Sequence, residues 1–357
     1  MKRFFIITCI GLAGVLAACE KTLPLDIPEE EKWGITLNAV ATPDTAFRAY
    51  VTRSYPSTEE PQYYIPLTDE NITSDYWLFY RHSYLPSYTG KGEIPEDEDK
   101  VSYIFYRNLK ESTLADAHVE AVVNRDTTYP MRYDENLLCF TSNYRPSAGD
   151  QIEVRIDHGK TGSTSARTVV PQAQKLEILE ATRDMQAPAM PEAQKLLYFQ
   201  GHVRMKLRLT DPVGEKNYYQ LRVKGKVPPP ILFVDSVNIY VESFKSSDPI
   251  FRDERLTTSW AGWDAYFSDV FDDSLFDGES YTFEIDSYLF GGEGKVDYEV
   301  SLQSITEDYY LYQKSLLLYR ISQSDSFSEG VYIHTNNQGG WGILGGVCGE
   351  VHHIEIP

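Results

Sequence analysis

Cys19 is the residue whose surroundings most narrowly specify a reaction. It follows Leu16-Ala17-Ala18, small side chains that leave room for a processing peptidase, and it offers a thiol able to take up diacylglycerol. Ahead of it, Met1-Lys2-Arg3 is basic and Phe4 to Leu16 is an apolar run too short to serve as a stable bilayer anchor. The combination reads as a lipoprotein signal peptide over residues 1–18, with Cys19 as the acylated first residue of the mature chain. Each buried methylene contributes about 0.8 kcal/mol, so two or three acyl chains would hold the protein at a lipid bilayer without a transmembrane helix. Residues 19–34 read as an extended tether, because Glu20 to Glu31 within them carries two prolines and a final acidic run.

Metal chemistry has two candidates. Asp269, Asp272, Asp273 and Asp277 crowd one turn, and short Asp side chains on a tight loop can supply the several oxygens that Ca²⁺ takes, although the spacing is not that of an EF-hand. A structural turn leading into a strand at Tyr281 explains the same residues without an ion. His352 and His353 stand beside Glu350 and Glu355, but neighbours on a strand point to opposite faces, so the two imidazoles would not share one ion.

Signatures of catalysis are missing from the sequence. It contains no Gly-x-Ser-x-Gly elbow, no His-Glu-x-x-His, no Cys-x-x-Cys and no Gly-x-x-x-x-Gly-Lys-Ser/Thr phosphate loop. Gly291-Gly292-Glu293-Gly294-Lys295 resembles such a loop, yet continues with Val296 and reads as a turn. Gly339 to Gly349 is glycine-rich around Trp341, Ile343 and Leu344, which points to a tight structural corner or, alternatively, a ligand cradle. No enzyme is expected.

Binding chemistry is concentrated elsewhere. Tyr63, Tyr64, Tyr76, Trp77, Tyr80, Tyr84 and Tyr88 fall in one stretch within residues 57–112. Exposed aromatics on a long excursion from a rigid scaffold make a contact surface for a glycan, a peptide or a protein partner. The competing reading is that these rings pack an extra hairpin or cover a sheet edge.

Charge narrows the partners further. Loss of Lys2 and Arg3 with the leader turns 33 basic side chains against 53 acidic into 31 against 53, so the formal balance moves from −20 to −22. Nucleic acid is not an expected partner, because phosphate contacts need clustered Lys and Arg. Of four cysteines, Cys9 leaves with the leader and Cys19 is acylated. Cys139 and Cys348 remain, and their spacing leaves open whether they pair.

The elements that must position these residues are mostly strands. Ile35 to Val40, Phe47 to Val51, His118 to Val123 and Gln151 to Ile156 alternate or are rich in β-branched residues, which predicts a β-sandwich over residues 35–172 with the aromatic insertion inside it. Val203 to Leu209, Tyr218 to Val223, Val237 to Val241, Tyr281 to Ile285 and Val296 to Leu302 predict a second β-domain over residues 173–357. Ser304-Ile305-Thr306-Glu307 has capping-box spacing, and the run that follows predicts one short helix near residues 305–321. The fold class expected is all-β.

An ordered set of motifs carries a family resemblance. It includes Asn38-Ala39-Val40, Ala115-Asp116-Ala117-His118-Val119, Ala148-Gly149-Asp150-Gln151-Ile152 and Val169-Val170-Pro171 in the first half. In the second half it includes Leu209-Thr210-Asp211-Pro212, Ser247-Asp248-Pro249-Ile250-Phe251, Leu275-Phe276-Asp277-Gly278 and Gly339 to Gly346. Together they resemble the DUF4249 family of Bacteroidetes lipoproteins, whose function is undetermined. The resemblance implies an immunoglobulin-like or carboxypeptidase-regulatory-like β-sandwich followed by a C-terminal β-domain, on an outer-membrane lipoprotein often encoded beside TonB-dependent receptors. Acidic residues after Cys19 are similar to surface-export signals of such lipoproteins. The function expected is a non-catalytic binding or accessory module working with a TonB-dependent transporter in nutrient capture. The alternatives are a structural or adhesive surface lipoprotein and an envelope hydrolase.

Overall fold

A computed structural model describes residues 34–54, 65–67, 102–104, 112–184, 202–227, 239–241, 244–253, 267–288, 295–323 and 331–356, all in the unit Gly34–Pro357. Cys19 and the seven aromatic residues singled out between Tyr63 and Tyr88 lie outside the described residues. From the insertion at 57–112 the described pieces are residues 112, β3 (Ile65–Leu67) and β4 (Ser102–Ile104), and the last two pair antiparallel.

Alternation of side chains builds the first sandwich. In β1 (Ile35–Ala41), Ile35, Leu37, Ala39 and Ala41 are buried and the residues between them are not, the period-2 pattern of a strand with one face on a core. β1 pairs antiparallel with β2 (Arg48–Arg53), which continues to β8 (Cys139–Thr141) and β7 (Arg132–Asp134). Facing them is a four-stranded sheet in the order β10 (Gly162–Val169), β9 (Gln151–His158), β5 (His118–Val123), β6 (Thr127–Pro130). Ile152, Val154 and Ile156 of β9 meet Leu37, Ala39 and Val51 in the shared core.

The second sandwich repeats the logic with different strands. β12 (His202–Thr210) buries Val203, Met205, Leu207 and Leu209 and lies between β11 (Leu176–Asp184) and β16 (Ser280–Tyr288). Opposite stand β13 (Tyr218–Val227), β14 (Ile239–Val241), β15 (Val270–Asp272) and β17 (Val296–Ile305). Aromatic rings fill the space between them: Phe251, on a short 3₁₀ turn at Pro249–Phe251, stands edge-on to Phe271 at 5.2 Å and to Phe283 at 5.5 Å, the offset geometry aromatic pairs prefer.

One strand joins the two. β18 (Trp341–Ile356) pairs parallel with β1 from Trp341 to Gly346, then antiparallel with β17 from Val347 to Ile356. Among the described residues a single nine-stranded sheet therefore runs through both sandwiches. Five consecutive residues, Ile343 to Val347, are buried at the crossing. Leu344 enters the first core, while Ile343 and Val347 pack with Tyr309 under helix α1 (Glu307–Gln323).

The glycines of this segment are thus strand residues, not the tight corner expected. A Cβ at Gly345 would lie 2.5 Å from the Tyr309 ring, and one at Gly346 would lie 2.1 Å from the Val169 carbonyl oxygen. Both faces of the strand are already occupied, so no side chain fits. Its outer backbone edge is completed by Asn336, whose amide donates to the Leu344 carbonyl at 2.9 Å and accepts from the Leu344 N–H at 3.0 Å.

The all-β class with a helix near the C-terminal end is as expected, and the helix lies two residues later than expected at both ends. Ser304 and Ile305 still belong to β17, and the first helical hydrogen bond runs from the Tyr310 N–H to the Thr306 carbonyl at 2.9 Å. Thr306 therefore precedes the helix instead of Ser304. Its hydroxyl accepts from the Gly346 N–H at 3.2 Å.

Candidate functional site

Strand parity decides what the outside of the four-stranded sheet presents. With Ile152, Val154 and Ile156 turned inward, Glu153 and Arg155 of β9 must point outward, beside Glu120 of β5 and Arg167 of β10. Glu153 accepts from Arg155 at 3.0 Å and from Arg167 at 3.1 Å, and Arg155 also reaches Glu120 at 3.5 Å. The Arg155 hydrogen bond, opposed in part by burial and aided by Arg167, holds the Glu153 carboxyl below its ordinary range.

The charges sit at different heights. The Glu153 side chain is 17% exposed, whereas Arg155 is 51% and Arg167 73% exposed. Guanidinium groups are presented to solvent and the carboxylate lies beneath them. Arg125 adds a third cation from the turn between β5 and β6, where Asn124 and Arg125 both take positive φ, 54° and 68°.

These arginines line a groove of about 920 Å³, floored by Val122 and Val169 and closed at its far side by Thr306, Glu307 and Asp308 at the start of α1. Glu307 accepts from the Tyr218 hydroxyl at 2.6 Å, and Asp308 lies 2.8 Å from the His334 imidazole. Both carboxylates are fixed in place, so the groove has cations along one wall and anions on the other. A second depression of about 390 Å³, lined by His118, Glu120 and Asp157, shares Arg155 with it.

The acidic turn is assembled differently from expectation. Asp273 and Asp277 come together, but with Asp211, and one carboxylate oxygen from each lies within 4.8 Å of the others. Asp272 instead accepts from the Ser274 N–H at 3.1 Å and faces Lys216 at 3.9 Å, and Asp269 accepts from the Gln220 amide at 2.9 Å. Within the cluster, Asp211 already accepts from the Tyr219 hydroxyl and, at 2.8 Å, from the Gly278 N–H. Asp273 accepts from the Asn217 N–H at 2.5 Å. Burial pushes the Asp273 carboxyl up and the neighbouring Asp211 and Asp272 charges add to the rise, against the bond from Asn217. This arrangement locks the β12–β13 and β15–β16 turns to each other.

The remaining sequence candidates are placed by the same geometry. His352 and His353 lie on β18 with opposite orientation, His353 4.0 Å from Glu299. Lys295 pairs with Glu355, while residues 291–294 before it lie outside the described residues. Cys139 is buried and Cys348 half-buried, and no disulfide joins them. Sequence reasoning passed over Arg125, Arg155 and Arg167. The alternation Gln151-Ile152-Glu153-Val154-Arg155-Ile156 did carry the signal that Glu153 and Arg155 share a solvent face. Missing was the knowledge that β10 and α1 would enclose that face.

A buried pair lies apart from the groove. Lys314 of α1 meets Asp253 at 3.1 Å with both side chains under a tenth exposed, and its ammonium lies 5.6 Å from the centre of the Tyr310 ring. Paired burial of this kind is costly to break from one side.

A family model described as a domain of unknown function, DUF4249, matches residues 20–348. No curated protein and no solved structure was similar to the chain. Since the match takes in β1 at one end and the strand crossing in β18 at the other, covering both sandwiches, the chain belongs to the DUF4249 family.

Proposed function

We propose that this protein is an outer-membrane lipoprotein of a Bacteroidetes cell, held by acylated Cys19, and a non-catalytic binding or accessory module for a TonB-dependent transporter. The observation that carries the binding role is the open groove on the first sandwich: fixed charges of both signs, on a sheet whose strands are locked by a shared core. A rigid scaffold that presents polar groups to solvent suits recognition, in which geometry is set before the ligand arrives. The anchor rests on Leu16-Ala17-Ala18-Cys19. Among the described residues no helix is long and apolar enough to cross a membrane, and acylation supplies attachment without one.

Fractionation and affinity capture test the reading. The intact protein is expected to partition with membranes and, after gentle detergent extraction, to bring down a TonB-dependent receptor. Cys19→Ala is expected to move to the soluble fraction. Wild-type protein free of membranes would remove the lipoprotein assignment, and membrane-bound protein with no receptor attached would remove the transporter partnership.

A further inference from the structure

The groove beside α1 has a polarity that narrows what it can hold. Arg125, Arg155 and Arg167 stand on the sheet side, and Glu307 and Asp308 stand opposite at the head of the helix. In a chain with a formal charge of −20, three arginines on one wall are a local reversal of sign. Arg125 has no ion-pair or hydrogen-bond partner among the described residues. Arg155 and Arg167 share Glu153, and Arg155 also reaches Glu120 at 3.5 Å, so two carboxylates stand against three guanidinium groups and the wall keeps an excess of positive charge. Guanidinium groups in this number favour a carboxylate, which they grip in a fork. The opposing carboxylates favour an ammonium group.

Other features of the walls exclude alternatives. The floor is aliphatic, from Val122 and Val169, and no aromatic ring lines the groove among the described residues. A glycan would lack the flat ring faces on which sugars stack. Strand addition along the edge of β10 is blocked as well, because Ser165 exchanges backbone hydrogen bonds with Gln338 and the Arg167 carbonyl accepts from Asn336 at 3.1 Å. An occupant must therefore cross the sheet face from the arginines toward α1. A volume of about 920 Å³ is in the range that takes a ligand of a few residues.

Building on the binding-module reading, we infer that this groove binds a short unmodified peptide. Its C-terminal carboxylate lies against Arg125, Arg155 and Arg167, its ammonium end faces Glu307 and Asp308, and small apolar side chains rest on the valine floor. Gln151 and Thr306 supply polar contacts to the peptide backbone.

Equilibrium dialysis of the whole mature protein against a pool of unmodified tetrapeptides, read by mass spectrometry, tests this. Peptides retained above a protein-free control are then remade as C-terminal amides and as N-acetyl forms. Amidation should weaken binding about tenfold or more, as should Arg155→Gln with Arg167→Gln, since each removes charge-assisted hydrogen bonds. N-acetylation should weaken it too. Arg125→Gln, in an exposed turn, gives the same readout if the double variant does not match the wild-type melting temperature. Retention of no peptide, equal binding of acid and amide, or wild-type affinity in the arginine variants would overturn the inference. Any of these results alongside recovery of a receptor from membranes removes the peptide and leaves the binding module. Failure of both assays removes the module as well.

Discussion

Two carboxylates illustrate how single residues set the stability of this fold in opposite directions. Asp150 closes the turn into β9, accepting from the Tyr144 hydroxyl at 2.5 Å, the Ser147 N–H at 2.8 Å and the Asn124 amide at 2.9 Å. Burial acts to raise its carboxyl, but these three hydrogen bonds outweigh it and hold the group below the ordinary 3.8. Such a group adds stability above its unfolded value and loses it as pH falls through its folded value. Asp273, raised by burial and by the Asp211 charge, does the reverse: its contribution is present below 3.8 and is lost as pH rises through the folded value. Asp150→Ala should cost about 2–3 kcal/mol near neutrality and less in acid, as expected for charged hydrogen bonds. Asp273→Asn can keep the acceptor for Asn217 while removing repulsion, so near neutrality it should match or exceed wild type, with any gain fading at about pH 3. Urea unfolding at the two pH values checks both, and the same slope with pH in both variants would contradict the assignment. Asp273 stood out in the sequence as part of an acidic turn. Its actual partner, Asp211, lies on the turn between two other strands, and nothing local ties them together.

At the scale of elements, the strands that were legible, half of those described, were so because one face is buried and the other is not. β1, β9 and β12 alternate cleanly, and each is found where the alternation places it. β18 was not legible for the same physical reason. Its middle is buried on both faces, between α1 on one side and β10 on the other, so it shows no alternation, and its glycines mimic a loop. The capping-box spacing was misleading in a related way, since pairing of Ser304 with Cys348 and of Ile305 with Val347 keeps β17 extended up to the helix. Gly345→Ala should therefore destabilise by about 1–3 kcal/mol, the usual cost of overpacking, although the residue sits in no turn. Because the clash is with the Tyr309 ring, the loss should shrink in a Tyr309→Ala background. Additive losses in a double-mutant cycle of chemical unfolding would show that the contact does not limit the strand.

Across the whole molecule, the shared strand couples regions far apart in sequence. β1 follows the first described residue, Gly34, and its one parallel neighbour is the N-terminal half of β18, near the other end of the chain. Composition and periodicity express local pairing, so the fusion of strands from both halves through residues 341–356 could not be anticipated from them. The candidate groove depends on that fusion. Its sheet wall belongs to the first sandwich and its far wall to α1, and α1 rests on Ile343 and Val347 of β18. A chain ending before Trp341 would lose Leu344 from the first core and expose the edge of β1, and it would also uncover β17. Loss of one buried leucine alone costs about 2–5 kcal/mol, and the missing hydrogen bonds add to it. That total is comparable to the whole stability of a typical domain. Removing residues 341–357 should therefore abolish slow amide exchange in β9 and β1 as well as in β12 and β17. A synthetic peptide of residues 341–356 added in trans should restore protection in both sets together. Protection that persists in β9 and β1 after the truncation would show the first sandwich to be independent, and β18 would then be an addition to it rather than the joint of the molecule.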